Sequence, residues 1–512
     1  MAAFFSEENP IRKVASGLFK TKETLGESDY RKSVSMLTLD GVCSMGMGAL
    51  QGGVFLCAFA LALGATNYEI GLIATIGFFA QFMQLPGLLL VKHFRKRRAI
   101  VVASAGLSRI MWLFIILTPF IFKDKGISFL LQWLTISMLA GGIAGPAWNS
   151  LLRDVVPAKS MGNIFARRMM LGTILALSLN LSAGYFVDWW KKSFSEHSLY
   201  AYSILFTIAL IFGIIGLFSI SKIPEPQMDT SLNEPILKEM GKPLKDGNFR
   251  NLLMYVGTWT FAVNLSGPFF IIYMLKRIGL SLFMVTLLTV TSQISNILFI
   301  RIWGKLADRF SNKSVLSVSG PLFMIVILAW TFTTMPERYF LTIPLLFIIH
   351  FFSGVSTAGV SISSANIALK LSPKGTAHIY LTIFGLVGAL TGSIAPMLGG
   401  MFADFFSVRE LSLAFNWSEP ARQLSVYALN LKALDFLFLI SFVVGLYSIR
   451  RLASVKEEGE VEERELLDQL KDEVALPLRS IASIEGMRRM TLMPFTTITN
   501  ISKKLSGKIK HC

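Results

Sequence analysis

Charged residues are scarce in this 512-residue chain, where Asp, Glu, Lys and Arg make up only 16% of the sequence. A soluble globular domain carries about a quarter of its residues as charged side chains, so this composition argues against a soluble fold. Hydrophobic residues make up 53%, Phe occurs 41 times, and the mean hydropathy is +0.58. Apolar runs of about 20 residues recur, each long enough to cross the ~30 Å hydrocarbon core of a bilayer. The sequence therefore predicts an all-α polytopic membrane protein.

Cysteine is also rare, and the three that occur, Cys43, Cys57 and Cys512, give no disulfide framework. The sequence lacks a phosphate-binding loop, a nucleophile elbow and any spacing typical of metal ligands. We therefore expect no enzyme activity, no cofactor and no bound metal. The net charge of +17 does not indicate nucleic acid as a partner, because the cations lie in loops that orient the chain in a membrane.

Twelve apolar spans can be placed, six on each side of a polar stretch that contains several prolines. The predicted segments are a cytoplasmic N-terminal segment at 1–34, a six-helix bundle at 35–221, a cytoplasmic linker at 222–249, a second six-helix bundle at 250–452 and a charged tail at 453–512. The spans are predicted at 35–63, 69–91, 99–122, 127–151, 165–187, 199–221, 250–275, 281–303, 314–333, 340–370, 376–403 and 430–452.

Lys and Arg are concentrated near both termini and in every second connection, beginning with the one between spans 2 and 3. Cytoplasmic loops carry such an excess of cations. We therefore expect both termini to face the cytoplasm, in a plasma (inner) membrane.

The two halves of the chain repeat each other. Pro157, Gly172, Gly184 and Asp188 recur as Pro373, Gly388, Gly400 and Asp404, each pair 216 positions apart. At an offset of 217, Gly87 corresponds to Gly304, although the Asp expected nearby in the first copy is replaced by Val91. Six-span repeats related by an axis along the membrane normal occur in secondary transporters.

The connection between spans 8 and 9 carries the most specific motif of the chain. Its sequence fits the pattern Gly-x-Leu-Ala-Asp-Arg/Lys-x-Gly-Arg/Lys-Arg/Lys at Gly304, Leu306, Ala307, Asp308, Arg309 and Lys313, and departs from it at Ser311 and Asn312. In this respect the chain resembles the major facilitator superfamily. The resemblance implies two six-helix bundles that give alternating access to a cavity lined mainly by spans 1, 4, 7 and 10. The candidate gating residues of the motif are Gly304, Asp308, Arg309 and Lys313.

Large polar or aromatic residues in the cavity-lining spans are candidates for contact with a substrate. They are Gln51 in span 1, Trp148 and Asn149 in span 4, Asn264 in span 7 and Asn366 in span 10. The alternative is that they only join helices, because amides within a bilayer need hydrogen-bond partners.

Ionisable residues inside apolar spans are costly and therefore informative. Arg109, about ten residues into span 3, is the basic residue assigned to a span interior, and Gln81, Gln84 or backbone carbonyls are its expected partners. Contact with an anionic substrate is the alternative, and we expect no carboxylate at its depth. The candidates for carrying a coupling proton are Asp40, near the start of span 1, and His350, about ten residues into span 10.

These features predict a secondary transporter that moves a small organic solute by alternating access, with protons as the candidate coupling ion. We expect it to act as a monomer in the lipid bilayer. Two alternatives stay open: a lipid or amphiphile flippase of the same fold, and a transport-inactive sensor or scaffold that acts through its charged tail. The residues do not identify the substrate or the direction of transport.

Overall fold

The structure is a computed structural model that describes residues 21–22, 26–121, 125–228, 240–334, 337–373, 375–419, 422–461 and 463–482. Within these ranges, twelve helical spans are long and apolar enough to cross a membrane. The predicted number and order of the spans are confirmed, and the chain is a multi-pass membrane protein.

The first six spans consist of the helices Glu27–Gln51 and Gly53–Ala62 (span 1), Asn67–Phe79 and Gln84–Phe94 (span 2), Arg97–Ile121 (span 3), Gly126–Val155 (span 4), Ala158–Ser193 (span 5) and Tyr200–Ser221 (span 6). The second six consist of Gly247–Ser266, Phe269–Ile272 and the π-helix Tyr273–Arg277 (span 7), Leu282–Arg309 (span 8), Asn312–Ala329 (span 9), Thr342–Lys370 (span 10), Ala377–Phe406 (span 11) and Leu434–Ala453 (span 12).

The packing of the spans confirms the repeat. In the first half, span 1 packs on spans 5 and 6, span 2 on span 4, and span 3 on spans 4 and 6. In the second half, the same pairs recur six spans later: span 7 on 11 and 12, span 8 on 10, and span 9 on 10 and 12. The two halves meet through span 2 against span 11 and span 5 against span 8, which are also equivalent pairs.

Several helices extend beyond the predicted spans. Span 1 begins at Glu27 rather than at 35, span 5 begins at Ala158 rather than at 165, and span 7 begins at Gly247, where Asp246 caps it. Hydropathy marks the part of a helix that lies in hydrocarbon, whereas its hydrogen bonds continue into the polar region. A further tail helix, Glu463–Ala482, follows span 12, while residues 229–239 of the linker and 483–512 of the tail lie outside the described part.

Two small sheets accompany the helices. The parallel strands β1 (Thr21–Lys22) and β2 (Glu225–Pro226) join the N-terminal segment to the linker. The antiparallel strands β3 (Glu410–Glu419) and β4 (Arg422–Lys432) form a hairpin between spans 11 and 12. We predicted no hairpin, and span 12 begins at Leu434 because β4 occupies residues assigned to it. The alternating apolar residues of β3 carry a period-two signal that a search for long apolar runs overlooks.

The two faces of the molecule differ in how the halves meet. We call the face with the 2–3, 4–5, 8–9 and 10–11 connections the basic face, and the opposite one the distal face. Side-chain hydrogen bonds join the halves toward the distal face, where Asp188 and Asp404 bind the opposite half. Toward the basic face, three apolar clusters each belong to one half, around Leu37, Val101 and Trp303. The described conformation is therefore closed at the distal face.

Candidate functional site

A buried ion pair lies inside the first bundle, between spans 1 and 5. Arg168 Nη2 donates to Asp40 Oδ2 at 2.9 Å, and the two side chains are 17% and 4% exposed. Ser44 Oγ donates to the second carboxylate oxygen at 3.2 Å, and the charge of Arg109 in span 3 also acts on Asp40. We call Asp40, Arg109 and Arg168 the charged cluster. It holds two cations and one carboxylate.

Glycines make room for the two guanidinium groups. A Cβ at Gly41 would lie 1.8 Å from Arg168 Nε, so this side chain can cross span 1 only at a residue without one. On span 6, a Cβ at Gly213 would lie 3.1 Å from Arg109 Nε, and one at Gly216 would lie 3.3 Å from Asp40 Oδ1. Small residues on two spans thus allow the charged cluster to form in a closely packed bundle.

The charged cluster corrects two predictions about Arg109. We expected Gln81, Gln84 or backbone carbonyls as its partners and no carboxylate at its depth, whereas Asp40 is beside it. The reason is the early start of span 1. Asp40 lies roughly 20 Å from the first residue of its helix at ~1.5 Å per residue, not near its beginning.

Sequence reasoning also missed Arg168, which lies near the predicted start of span 5 and was not assigned to a span interior. In the structure this residue lies well inside the helix Ala158–Ser193. The available signal was the apolar pattern on both sides of Arg167 and Arg168, which does not distinguish a buried cation from an exposed one.

Spans 1 and 7 are both interrupted, and at equivalent positions. Span 1 breaks at Gly52–Gly53, where Gly53 has the left-handed φ of +49° that glycine adopts without strain. Span 7 breaks at Gly267–Pro268 before its short second helix. The helices before the two interruptions end at Gln51 and Ser266, which are 215 positions apart, within one residue of the repeat offset. Interrupted helices at matching positions of two repeats indicate a binding site, because they leave backbone groups free to bind a ligand.

Two of the candidate substrate contacts lie at these interruptions. Gln51 is 6% exposed, and its Nε2 has no hydrogen-bond partner among the residues that the structure describes. Asn264, one turn before the break in span 7, is half-buried and donates from Nδ2 to Thr260 O at 2.8 Å. A buried amide nitrogen without a partner is costly, so Gln51 has an unused donor beside the interruption.

The other cavity candidates lie farther toward the basic face. The Trp148 ring is half-buried and lies 5.4 Å from the guanidinium carbon of Arg168, which links span 4 to the charged cluster. Asn149 and Asn366 are exposed, in spans 4 and 10 respectively. Neither approaches the charged cluster through a hydrogen bond within the described residues.

His350 lies apart from the charged cluster, inside the second bundle. It is 8% exposed, its Nδ1 donates to Leu346 O at 2.8 Å, and its ring packs edge-on against Trp330 at 5.4 Å. A carbonyl only accepts hydrogen bonds, so Nδ1 carries the proton. These contacts explain the position of the ring without any role in transport, and its role as a proton carrier stays a prediction.

In the gating motif, the glycine packs against a neighbouring span and the carboxylate is exposed. A Cβ at Gly304 would lie 3.3 Å from Ile362 in span 10, so this glycine allows spans 8 and 10 to pack closely. Asp308 is exposed, and its carboxylate forms no hydrogen bond or ion pair within the part of the chain that the structure describes. The motif therefore holds its carboxylate free in this conformation.

The cations of the same motif bind the segment that follows span 12. Lys305 pairs with Glu473 at 3.1 Å, Arg309 donates to Gln469 at 2.9 Å, and Lys313 pairs with Glu460 at 2.9 Å. Leu466 of the tail helix is fully buried against span 8 beneath these contacts. The tail segment thus packs on the basic face of the second bundle.

Comparison with known proteins agrees with this architecture. The chain is 25% identical over 288 residues to an uncharacterized MFS-type transporter, YxiO, of Bacillus subtilis (strain 168), and the match covers 52% of this chain and 63% of that relative. Its fold is similar to that of a D-xylose–proton symporter (TM-score 0.62, 14% identity, 84% of this chain and 99% of the other). It is also similar to a mutant of the nucleoside transporter NupG (TM-score 0.61, 13% identity, 83% and 100%).

A family model also matches more than half of the chain. The model of the Major Facilitator Superfamily covers residues 37–396, which include eleven of the twelve spans in whole or in part. The loop motif, the repeated packing of the spans and this match agree, and the chain belongs to the Major Facilitator Superfamily.

Proposed function

We propose that this protein is a secondary transporter that moves a small organic solute across the membrane by alternating access, with protons as the coupling ion. The observation that carries the proton coupling is the buried pair between Asp40 and Arg168 with Arg109 beside it. Buried ionisable groups in membrane spans occur mainly where function requires them.

The charged cluster supports a simple coupling step. While Asp40 is ionised, it neutralises part of the charge of Arg168 and Arg109, and protonation would leave both guanidinium groups without a carboxylate. Such a state is costly in a buried site, so protonation is expected to change the packing of spans 1, 3 and 5. A proton taken up at Asp40 on one side of the membrane and released on the other would then drive the cycle.

The interruptions of spans 1 and 7 support a solute site between the halves. Gln51 Nε2 has no hydrogen-bond partner among the described residues, and Asn264 lies one turn before the interruption in the other half. The helix ends at Gly52 and Gly267 leave backbone carbonyls and amides near both side chains. These groups favour a solute that carries hydroxyl, carbonyl or amide groups.

Orientation and membrane belong to the same proposal. The basic face is assigned to the cytoplasm of a plasma (inner) membrane, because of its Lys and Arg. The flippase and scaffold alternatives have no specific observation in their favour.

The experiment begins with a thermal-shift screen of the purified protein against metabolite panels, because a ligand that binds the folded state raises its apparent stability. Uptake of the labelled ligand is then measured in proteoliposomes with and without a pH gradient. Asp40→Asn should abolish accumulation driven by the gradient and keep exchange at equal pH. His350→Gln tests the second candidate in parallel.

Each outcome decides between the functions. If only His350→Gln loses accumulation, His350 rather than Asp40 carries the coupling proton. Accumulation by both variants at the rate of the parent would exclude proton coupling through these residues. Movement of labelled lipid without solute flux would favour a flippase, and absence of all flux would favour a scaffold.

A further inference from the structure

Two carboxylates of the distal face bind the ends of helices in the opposite half. Asp404, near the end of span 11, accepts from the backbone amides of Asn67 at 3.2 Å and Tyr68 at 2.9 Å, the first two residues of span 2. The Asn67 side chain donates to the same carboxylate at 2.9 Å. These hydrogen bonds join the second half of the chain to the first.

The same arrangement occurs between spans 5 and 8. Asp188, near the end of span 5, accepts from the backbone amides of Leu282 at 3.0 Å and Phe283 at 2.7 Å, the first two residues of span 8. Asp188 and Asp404 occupy equivalent positions of the repeat. Each half therefore contributes one carboxylate and receives one.

The local caps of the two helices are also equivalent. Thr66 Oγ1 accepts from the amide of Glu69 in span 2, and Ser281 Oγ accepts from the amide of Met284 in span 8. The amide of the third helical residue is thus satisfied within its own half. Only the first two amides depend on a carboxylate of the other half, so they lose their protein partner when the halves separate.

Repeated glycines allow these approaches. A Cβ at Gly400, one turn before Asp404, would lie 2.7 Å from the backbone of Asn67 and Tyr68. A Cβ at Gly184, one turn before Asp188, would lie 3.1 Å from the backbone of Phe283. Both contacts thus contain a glycine and, four residues later, a carboxylate. The glycine lets the two spans pack closely, and the carboxylate then reaches the helix N-terminus of the opposite half.

We propose that these contacts are paired latches that hold the distal face closed, and that the transport cycle must open both. A carboxylate at a helix N-terminus meets unpaired amides and the positive end of the helix dipole. When the distal face opens, each amide and carboxylate can exchange its partner for water, so the latches bias the equilibrium without making closure irreversible. Asp404 is exposed and Asp188 is half-buried, so the latch at Asp188 should be the stronger.

The test measures the distance between the two halves and needs no substrate. Spin labels are placed by Glu196→Cys and Phe340→Cys, on exposed distal connections of the first and second half, after replacement of Cys43, Cys57 and Cys512 by Ala. Distance distributions are recorded by pulsed electron paramagnetic resonance in nanodiscs. The variants are Asp188→Asn, Asp404→Asn and their combination.

Removing the latches should populate a longer distance. We expect the ratio of open to closed molecules to rise about tenfold for Asp188→Asn and about threefold for Asp404→Asn, with the largest rise in the combination. Glu69→Gln is the matched control, because Glu69 caps the same helix as Asp404 but only from within its own half. Its distribution should match that of the parent.

Glycine substitutions give a second test that leaves the carboxylates in place. Gly400→Ala should also lengthen the distance, whereas Gly388→Ala in the same span should not, since a Cβ there would meet only Thr260 at 3.9 Å. If the combined Asp variant and Gly400→Ala both keep the parental distribution, the latches do not hold the face closed. That result would leave the proposed transport function intact, and a failure to find solute flux would leave the distance result intact.

Discussion

Carboxylates bond in different directions at the two faces of the molecule. At the distal face, Asp188 and Asp404 bind helix ends of the opposite half. At the basic face, Glu225 of the linker accepts from the amide of Arg97 at 2.6 Å and caps span 3 of the first half. Glu457 of the tail likewise accepts from the amide of Lys313 at 2.7 Å and caps span 9 of the second half.

The difference separates contacts that build a bundle from contacts that close the molecule. Arg97 and Lys313 are 216 positions apart, whereas Glu225 and Glu457 are 232 apart, so the capped helices follow the repeat and the carboxylates that cap them do not. A cap that joins one half to the linker or to the tail can remain when the halves move, whereas a contact between the halves must break. A carboxylate bound to a helix N-terminus therefore stabilises a single half at the basic face. At the distal face, the same kind of contact stabilises the closed conformation of the whole molecule.

The assignment of the faces to the two sides of the membrane has an all-or-none test. Reporter fusions at residue 240 and at the C-terminus should both behave as cytosolic, because the cations of the basic face stay on the cytoplasmic side. A fusion at Glu196, in the distal connection between spans 5 and 6, should behave as external. An external signal from either of the first two fusions would show that the faces are assigned to the wrong sides of the membrane or that the number of spans is wrong.

Removing a cap from the basic face should destabilise the first half more than the second. Arg97 is fully buried between Glu225, which is also buried, and Asp154. Glu225→Gln leaves Asp154 as the remaining carboxylate paired with that buried cation among the described residues, and we expect a loss of about 2 kcal/mol in the free energy of unfolding. Glu457→Gln should cost less, because its partner Lys370 is 45% exposed and can turn to water.

Equilibrium unfolding in mixed micelles with increasing SDS measures both losses. Asp468→Asn is the control, because its ion pair with Lys471 is exposed on both sides and should contribute little. Equal losses for Glu225→Gln and Glu457→Gln would show that burial does not distinguish the two caps.

The gating motif should matter only when the basic face closes. Asp308 is exposed and unbonded within the described residues, so Asp308→Asn should leave the unfolding midpoint unchanged. If its carboxylate binds the other half in the opposite conformation, the variant should lower solute flux about tenfold, since a charged hydrogen bond is worth ~1.5–3 kcal/mol. Val91→Ala, at the corresponding position of the first half, should have little effect. If Asp308→Asn and Val91→Ala lower solute flux equally, the gating role is not confined to the copy of the motif in the second half.

The smallest expected effect concerns pH at the tail. Burial raises the pKa of Glu460, but its hydrogen bonds to Lys313 and the Glu457 amide and the charge of Lys313 outweigh burial and leave it below the usual value of 4.5. The stability from this contact is therefore present above about pH 4.5 and is lost as the pH falls through the lowered pKa. The protection factors for hydrogen exchange at residues 463–470, which correct for the intrinsic pH dependence of exchange, should fall modestly below that pH. In Glu460→Gln, the same protection factors should fall less over this range.

Local composition and spacing were sufficient to predict the spans, the repeat and the basic face. Each of these depends on residues near one another in sequence or on a fixed offset of 216 positions. The partner of Arg109 could not be predicted in this way, because Asp40 lies on another span. The assignment of Arg168 failed for a related reason: a cation near the end of an apolar run has the same local pattern whether it faces water or a carboxylate.

The sequence by itself determined that the chain crosses the membrane twelve times in two equivalent halves, because transfer of apolar side chains into lipid depends on composition alone. It also placed Asp188 and Asp404 at equivalent positions. Only the tertiary structure decided that Asp40 pairs with Arg168, that Glu225 in the linker and Glu457 in the tail each cap one half, and that Asp188 and Asp404 bind the opposite half. The choice of partner for a charge depends on which helices are adjacent and where each helix begins, and these follow from the packing of the whole chain.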